Sequence, residues 1–184
     1  MKKLAVLFFI LVGLFSGTVA SAETTPAPEF TLRDIKGKKV SLLDFKDRVV
    51  FISFWATWCA PCKSEMPHLQ AFHEELEDKG LTILSISIDN SKDASRAKAY
   101  IKENKYNFTV LLDKQTTVVS LYNPSKKVPF SVLINKEGNI VWTKTGFHAG
   151  EEVEVKNLIL KELGLEEQAV EKSEKSSEDK SEQQ

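Results

Sequence analysis

The stretch Phe54-Trp55-Ala56-Thr57-Trp58-Cys59-Ala60-Pro61-Cys62-Lys63-Ser64-Glu65-Met66-Pro67 decides how this chain is read. Leading into it, Val49-Val50-Phe51-Ile52-Ser53-Phe54-Trp55 is β-branched and aromatic on both faces, which suits a strand buried in the middle of a sheet. Beyond Cys59 the pattern changes. Met66, Leu69, His73 and Leu76 recur at helical intervals, predicting a helix from Pro61 to about Lys79 with Gly80 as its stop. The two cysteines therefore stand where a buried strand becomes a helix.

That placement carries chemistry. A helix N-terminus offers partial positive charge and unpaired N–H groups. Cys59, at or just before the first turn, is expected to ionise below the free thiol value of ~8.5. The thiolate is the form that attacks a disulfide. Cys62 lies one turn on, and positions i and i+3 share a helix face, so its sulfur can reach that of Cys59. Cys59 can then form a mixed disulfide with a substrate and Cys62 can resolve it. Pro61 suits the first turn, where its missing N–H costs nothing. Trp58 offers a flat apolar surface beside the exposed sulfur.

Other readings of the pair stand beside this one. Half of a zinc site would need two more ligands, from His68, His73 and His148. A copper site would want a Met or His cluster. An inert disulfide across so short a span would add little stability. The chain has 2 cysteines. A small secreted protein held together by disulfides carries more, spread along its length.

Working outward, Phe30–Leu32 and Val40–Leu42 flank a turn containing Gly37 and predict a β-hairpin. Leu81–Ile88 reads as a strand, Asp89–Lys92 as a turn and Asp93–Asn104 as a helix with Ala94, Ala97 and Ile101 on one side. Phe108–Leu112 is a short strand and Thr116–Tyr122 a short helix closed by Asn123-Pro124. Phe130–Ile134 and Ile140–Thr143 are strands joined through a turn with Gly138. Glu151–Leu163 is the last helix, with Val155, Leu158, Ile159 and Leu163 as its apolar stripe. This order implies an α/β domain, a central mixed sheet flanked by helices on both faces. His68 and His73 lie five apart on one helix, do not share a face, and read as structural or surface residues. Trp55 reads as core or as the floor of the site.

The ends of the 184-residue chain differ from its middle. Met1-Lys2-Lys3, the apolar run Leu4–Phe15 and Ala20-Ser21-Ala22 have the layout of a secretory signal peptide, with cleavage expected after Ala22. The apolar run is shorter than the ~20 residues of a spanning helix, although Gly17–Val19 could extend it into an uncleaved anchor. Residues 23–27 read as a short linker, 28–165 as the domain and 166–184, rich in Glu, Lys, Ser and Gln, as a disordered tail. Net charge is −1, and no basic helix or patch suggests nucleic-acid binding.

Trp58-Cys59-Ala60-Pro61-Cys62, with Phe54-Trp55-Ala56 before it, resembles the active-site motif of the thioredoxin superfamily. Pro67 matches the proline of that family's active-site helix, and Val128-Pro129 its cis-proline loop. The N-terminal hairpin, the added helix and strand between Ser91 and Asp113, and Cys-x-x-Cys-x-x-Glu-Met-Pro make it most similar to the exported TlpA/ResA/CcmG group. Ser53 departs from ordinary thioredoxins, which carry a buried Asp there. The ResA-like pattern instead places an acid at Glu65.

The resemblance implies a thioredoxin-like fold and roles for six residues. Cys59 and Cys62 would be the redox-active pair. Glu65, if partly buried, would exchange the proton of Cys62; otherwise it is a surface Glu favouring the helix dipole. Val128 would offer a backbone edge to an extended substrate beside cis-Pro129, with Trp58 completing the contact. Exported protein thiols and disulfides would be the partners, such as the haem-attachment cysteines of apocytochrome c. Electrons would come from a membrane thiol donor of the CcdA or DsbD type. No non-protein cofactor is needed, and a monomer is expected. A peroxiredoxin-like peroxidase is the rival enzyme, but Ile52 and Ala56 occupy the positions of its Pro and Thr. A copper carrier for oxidase assembly is the rival binding module.

Overall fold

A computed structural model describes residues 25–166. The expected signal peptide and most of the expected tail lie outside the described residues. Among the described residues, eight strands form a single mixed sheet. Its centre is β4 (Val49–Trp55), every residue of which is buried. β5 (Leu81–Ser87) runs parallel on one side, followed by parallel β6 (Thr109–Leu112). β7 (Phe130–Ile134) runs antiparallel on the other side, followed by β8 (Asn139–Thr145). The hairpin of β2 (Thr31–Asp34) and β3 (Lys39–Ser41) closes one edge by pairing β2 with β6.

Such a strand needs cover on both faces, and the connections supply it. Helix α1 (Ala60–Leu76) links β4 to β5 and α2 (Ala94–Glu103) links β5 to β6. Two right-handed crossovers stepping the same way place both helices on one face. Trp55 and Lys63 both meet the Tyr100 ring of α2, at 5.6 and 5.3 Å. α4 (Glu151–Leu163) packs on the same face, against α1 and β4. The return from β6 to β7 carries α3 (Thr117–Tyr122) over the opposite face, where the Tyr122 ring lies 5.7 Å from Phe54. The fold is therefore the thioredoxin-like α/β layer expected, with the hairpin and the α2–β6 addition in place.

Three details differ from the sequence expectation. Thr25–Pro26, read as linker, form a two-residue edge strand, β1, paired with Ile140 and Asn139 of β8. Ala27 behind it is buried, and its N–H donates to Gly138 O. Leu42, read as strand, starts a 3-10 turn because Ser41 and Asp44 form a capping box that bends the chain there. The helix after Cys62 ends at Leu76, and a 3-10 turn, Glu77–Lys79, carries the chain to Gly80 at φ 104°, a left-handed stop. Among the described residues no helix is long and apolar enough to cross a membrane.

Candidate functional site

The end of β4 sets the position of the cysteines. Its last residue, Trp55, is fully buried, and Ile88 N–H donates to Trp55 O just where β5 ends. The chain then turns, with Cys59 N–H on Ala56 O at 3.1 Å. Cys59 is the N-cap of α1 in extended backbone, φ −90° and ψ 103°. Its sulfur accepts the N–H of Cys62 at 3.2 Å, where a Ser or Asp oxygen would normally sit. A cap sulfur facing free N–H groups is stabilised as the anion. Cys59 and Cys62 are joined as a disulfide. Cys62 is fully enclosed, whereas Cys59 retains 5 % exposure. An incoming sulfur has access only to Cys59. Trp58 stands beside it, 70 % exposed.

Glu65 is not a surface residue. It is 5 % exposed and faces the sheet from α1, on the Cys62 side. Ser53 Oγ donates to its Oε2 at 2.7 Å and Ser131 Oγ to its Oε1 at 2.8 Å. Ser53 and Ser131 are register partners across β4 and β7, so the two hydroxyls form one seat. Ser53, the departure from the ordinary thioredoxin pattern, is thus half of the seat for the acid that comes from the helix instead. Burial pushes the Glu65 carboxyl up, and the two serine hydrogen bonds oppose that only in part.

The peptide Val128-Pro129 is cis. Pro129 O accepts Gly146 N–H at 2.8 Å, which fixes the loop to the end of β8. Among the described residues none hydrogen-bonds to the backbone of Val128, which lies half-buried just ahead of β7.

The histidines stay apart. His73 is buried with Nε2 3.2 Å from Glu77, His68 packs on the Phe147 ring at 5.6 Å, and His148 is exposed beside Glu151. Among the described residues no group of three His, Cys, Asp or Glu is placed to hold a metal.

The sequence reading missed two buried carboxylates at this end of the sheet. Asp89, just past β5, accepts Thr57 N–H at 3.0 Å, Thr57 Oγ1 at 2.7 Å and Ser87 Oγ at 2.8 Å. It thereby clamps the loop that delivers Cys59. Asp113, just past β6, accepts the N–H groups of Thr117 and Val119 at 2.9 and 2.8 Å. It starts α3 as a side-chain cap would. The signal available was an Asp directly after each of the strands read at Leu81–Ile88 and Phe108–Leu112.

Residues 24–143 match the AhpC/TSA family. A ResA thiol-disulfide oxidoreductase of Bacillus cereus is 33% identical over 150 residues, covering 82% of this chain and 85% of that protein. The ResA protein of Bacillus subtilis is 35% identical over 139 residues, 76% of each chain. A secreted thiol-disulfide isomerase from Corynebacterium glutamicum superposes with a TM-score of 0.67 at 26% identity, covering 75% of this chain and 85% of that one. The chain belongs to the thioredoxin-like AhpC/TSA family. It is a thiol-disulfide oxidoreductase, similar to the ResA proteins.

Proposed function

We propose that this oxidoreductase works outside the cytoplasm and reduces disulfides in exported proteins. The Cys59 thiolate attacks one client sulfur, the client S–S bond breaks, and the departing sulfur takes up a proton. Cys62 then loses its proton and attacks the Cys59 sulfur of the mixed disulfide, freeing the second client thiol. Two electrons pass to the client, and Cys59–Cys62 is left oxidised.

The observation that carries this reading is the Glu65 carboxylate sealed on the Cys62 side of α1. Cys62 has no access to solvent, so its proton needs an internal acceptor. A carboxylate made more basic by burial is suited to that exchange. The free Val128 edge supports pairing with an extended client, with Trp58 as an apolar flank. Export is supported by the residues 1–22 pattern and by the likeness to a secreted isomerase. A membrane thiol donor of the CcdA or DsbD type would regenerate the pair, and the haem-attachment cysteines of apocytochrome c are the client to try first. The peroxidase alternative has Ile52 and Ala56, both fully buried, where its Pro and Thr would be needed.

The test is capture. Cys62→Ser, expressed in its own host, should accumulate mixed disulfides with exported proteins that mass spectrometry can identify, while Cys59→Ser should not. Equal, empty captures from both variants would end the reading.

A further inference from the structure

We infer that the cysteine-bearing end of the sheet is an electropositive docking face, fitted to an extended client segment with acidic residues flanking its disulfide. This rests on the dithiol-exchange reading above. Residues 56–64, 88–93 and 113–116 leave the C-terminal ends of β4, β5 and β6, and residues 123–129 lead into β7 at the same end. The exposed ionised side chains of these four segments are Lys63, Lys92, Lys114, Lys126 and Lys127.

The acids of these four segments are withdrawn from the surface or paired. Asp89 and Asp113 are buried and bonded as described. Asp93 is half-buried and pairs with Arg96 at 3.1 Å. Beyond the cis-proline, Glu151 pairs with Lys144 at 2.8 Å and Glu152 accepts Gly150 N–H at 2.7 Å. The whole chain carries a net charge of −1, so the lysine excess in these segments is local rather than sampled from a basic protein.

Two of them directly precede Val128. A client paired along that edge places the residues beside its disulfide next to Lys126 and Lys127. Lys126 Nζ is steadied by Thr116 Oγ1 at 2.9 Å. Lys63 shares its groove with Glu103 and contributes least. Each exposed pair is weak, but a one-signed rim raises the rate of productive encounter and makes it salt-dependent.

The experiment uses the reduced protein and two disulfide-bridged peptides differing only in flanking Glu or Lys pairs, with neutral hydroxyethyl disulfide as reference. The readout is each peptide's second-order rate divided by the reference rate. The Glu peptide should lead the Lys peptide about tenfold at low ionic strength, and the lead should collapse in about 0.5 M salt, where the Debye length is only about 4 Å. Lys126→Glu/Lys127→Glu should reverse the order, while Lys136→Glu, at the opposite end of the sheet, should keep it. Equal ratios for the two peptides, or a lead for the Lys peptide, overturn the docking face. No reduction of hydroxyethyl disulfide would instead bring down the exchange chemistry beneath it.

Discussion

Glu65 and Asp89 are both buried carboxylates flanking the cysteine motif, and they are held in different ways. Asp89 receives a backbone N–H and a hydroxyl from Thr57 and a second hydroxyl from Ser87, two points of the chain that it ties together. Glu65 receives two hydroxyls and no backbone group. Its partners are side chains that can rotate, and no turn of backbone depends on it. One carboxylate builds the loop that carries Cys59. The other sits on a seat made of two side-chain hydroxyls alone. In the function proposed above, burial would thus serve architecture in one place and acid–base chemistry in the other.

Substitution should separate the two roles. Asp89→Ala leaves Thr57 N–H and two hydroxyls without their acceptor, and should cost about 3 kcal/mol in urea unfolding. Glu65→Gln keeps the shape of the side chain, and should instead slow resolution of the mixed disulfide about 100-fold in quenched-flow experiments. If Glu65→Gln unfolds as readily as Asp89→Ala, the contrast is broken. Ser131→Ala removes half of the seat. It should cost about 1 kcal/mol and raise the Glu65 pKa further, which a carboxyl-region infrared titration would read.

The smallest effect is the pH dependence. Because the Glu65 pKa is raised on folding, between about pH 4.5 and its folded-state value the native state holds a proton that the unfolded chain has already released. Stability from this group is therefore full below about pH 4.5 and is lost as pH rises through the folded-state value. Urea midpoints at about pH 5 and about pH 8 should differ less in Glu65→Gln than in the parent. An unchanged difference would mean that Glu65 titrates as a solvent-exposed acid.

Much of the fold was legible because its signals are local. Val49–Trp55 announces a strand buried on both faces, the Met66–Leu76 spacing a helix, and Gly37 and Gly138 the turns. The parts that were not legible depend on distant partners. Thr25–Pro26 become a strand only because the free edge of β8 accepts them. Asp89 bonds Thr57 across 32 positions of sequence, and nothing near either residue names the other. The burial of Glu65 needed Ser53 and Ser131 to meet, which follows from the register of β4 with β7 and not from a motif. The cysteine pair is contained in one short segment and could be read outright.

The edge strand at Thr25–Pro26 has a further consequence. It pairs at Ile140, the end of β8 remote from Thr145 and the cis-proline loop. α4 finishes at the same remote end, where Leu163 lies close enough to Gly80, at the start of β5, that a side chain there would meet it. Both ends of the described chain therefore emerge on the side turned away from the sulfurs. An immobilisation handle or fluorescent fusion joined directly to residue 25 or to residue 166 should leave the reactive pole unobstructed, so the described domain can be displayed on a bead or biosensor chip with its cysteines facing the solution.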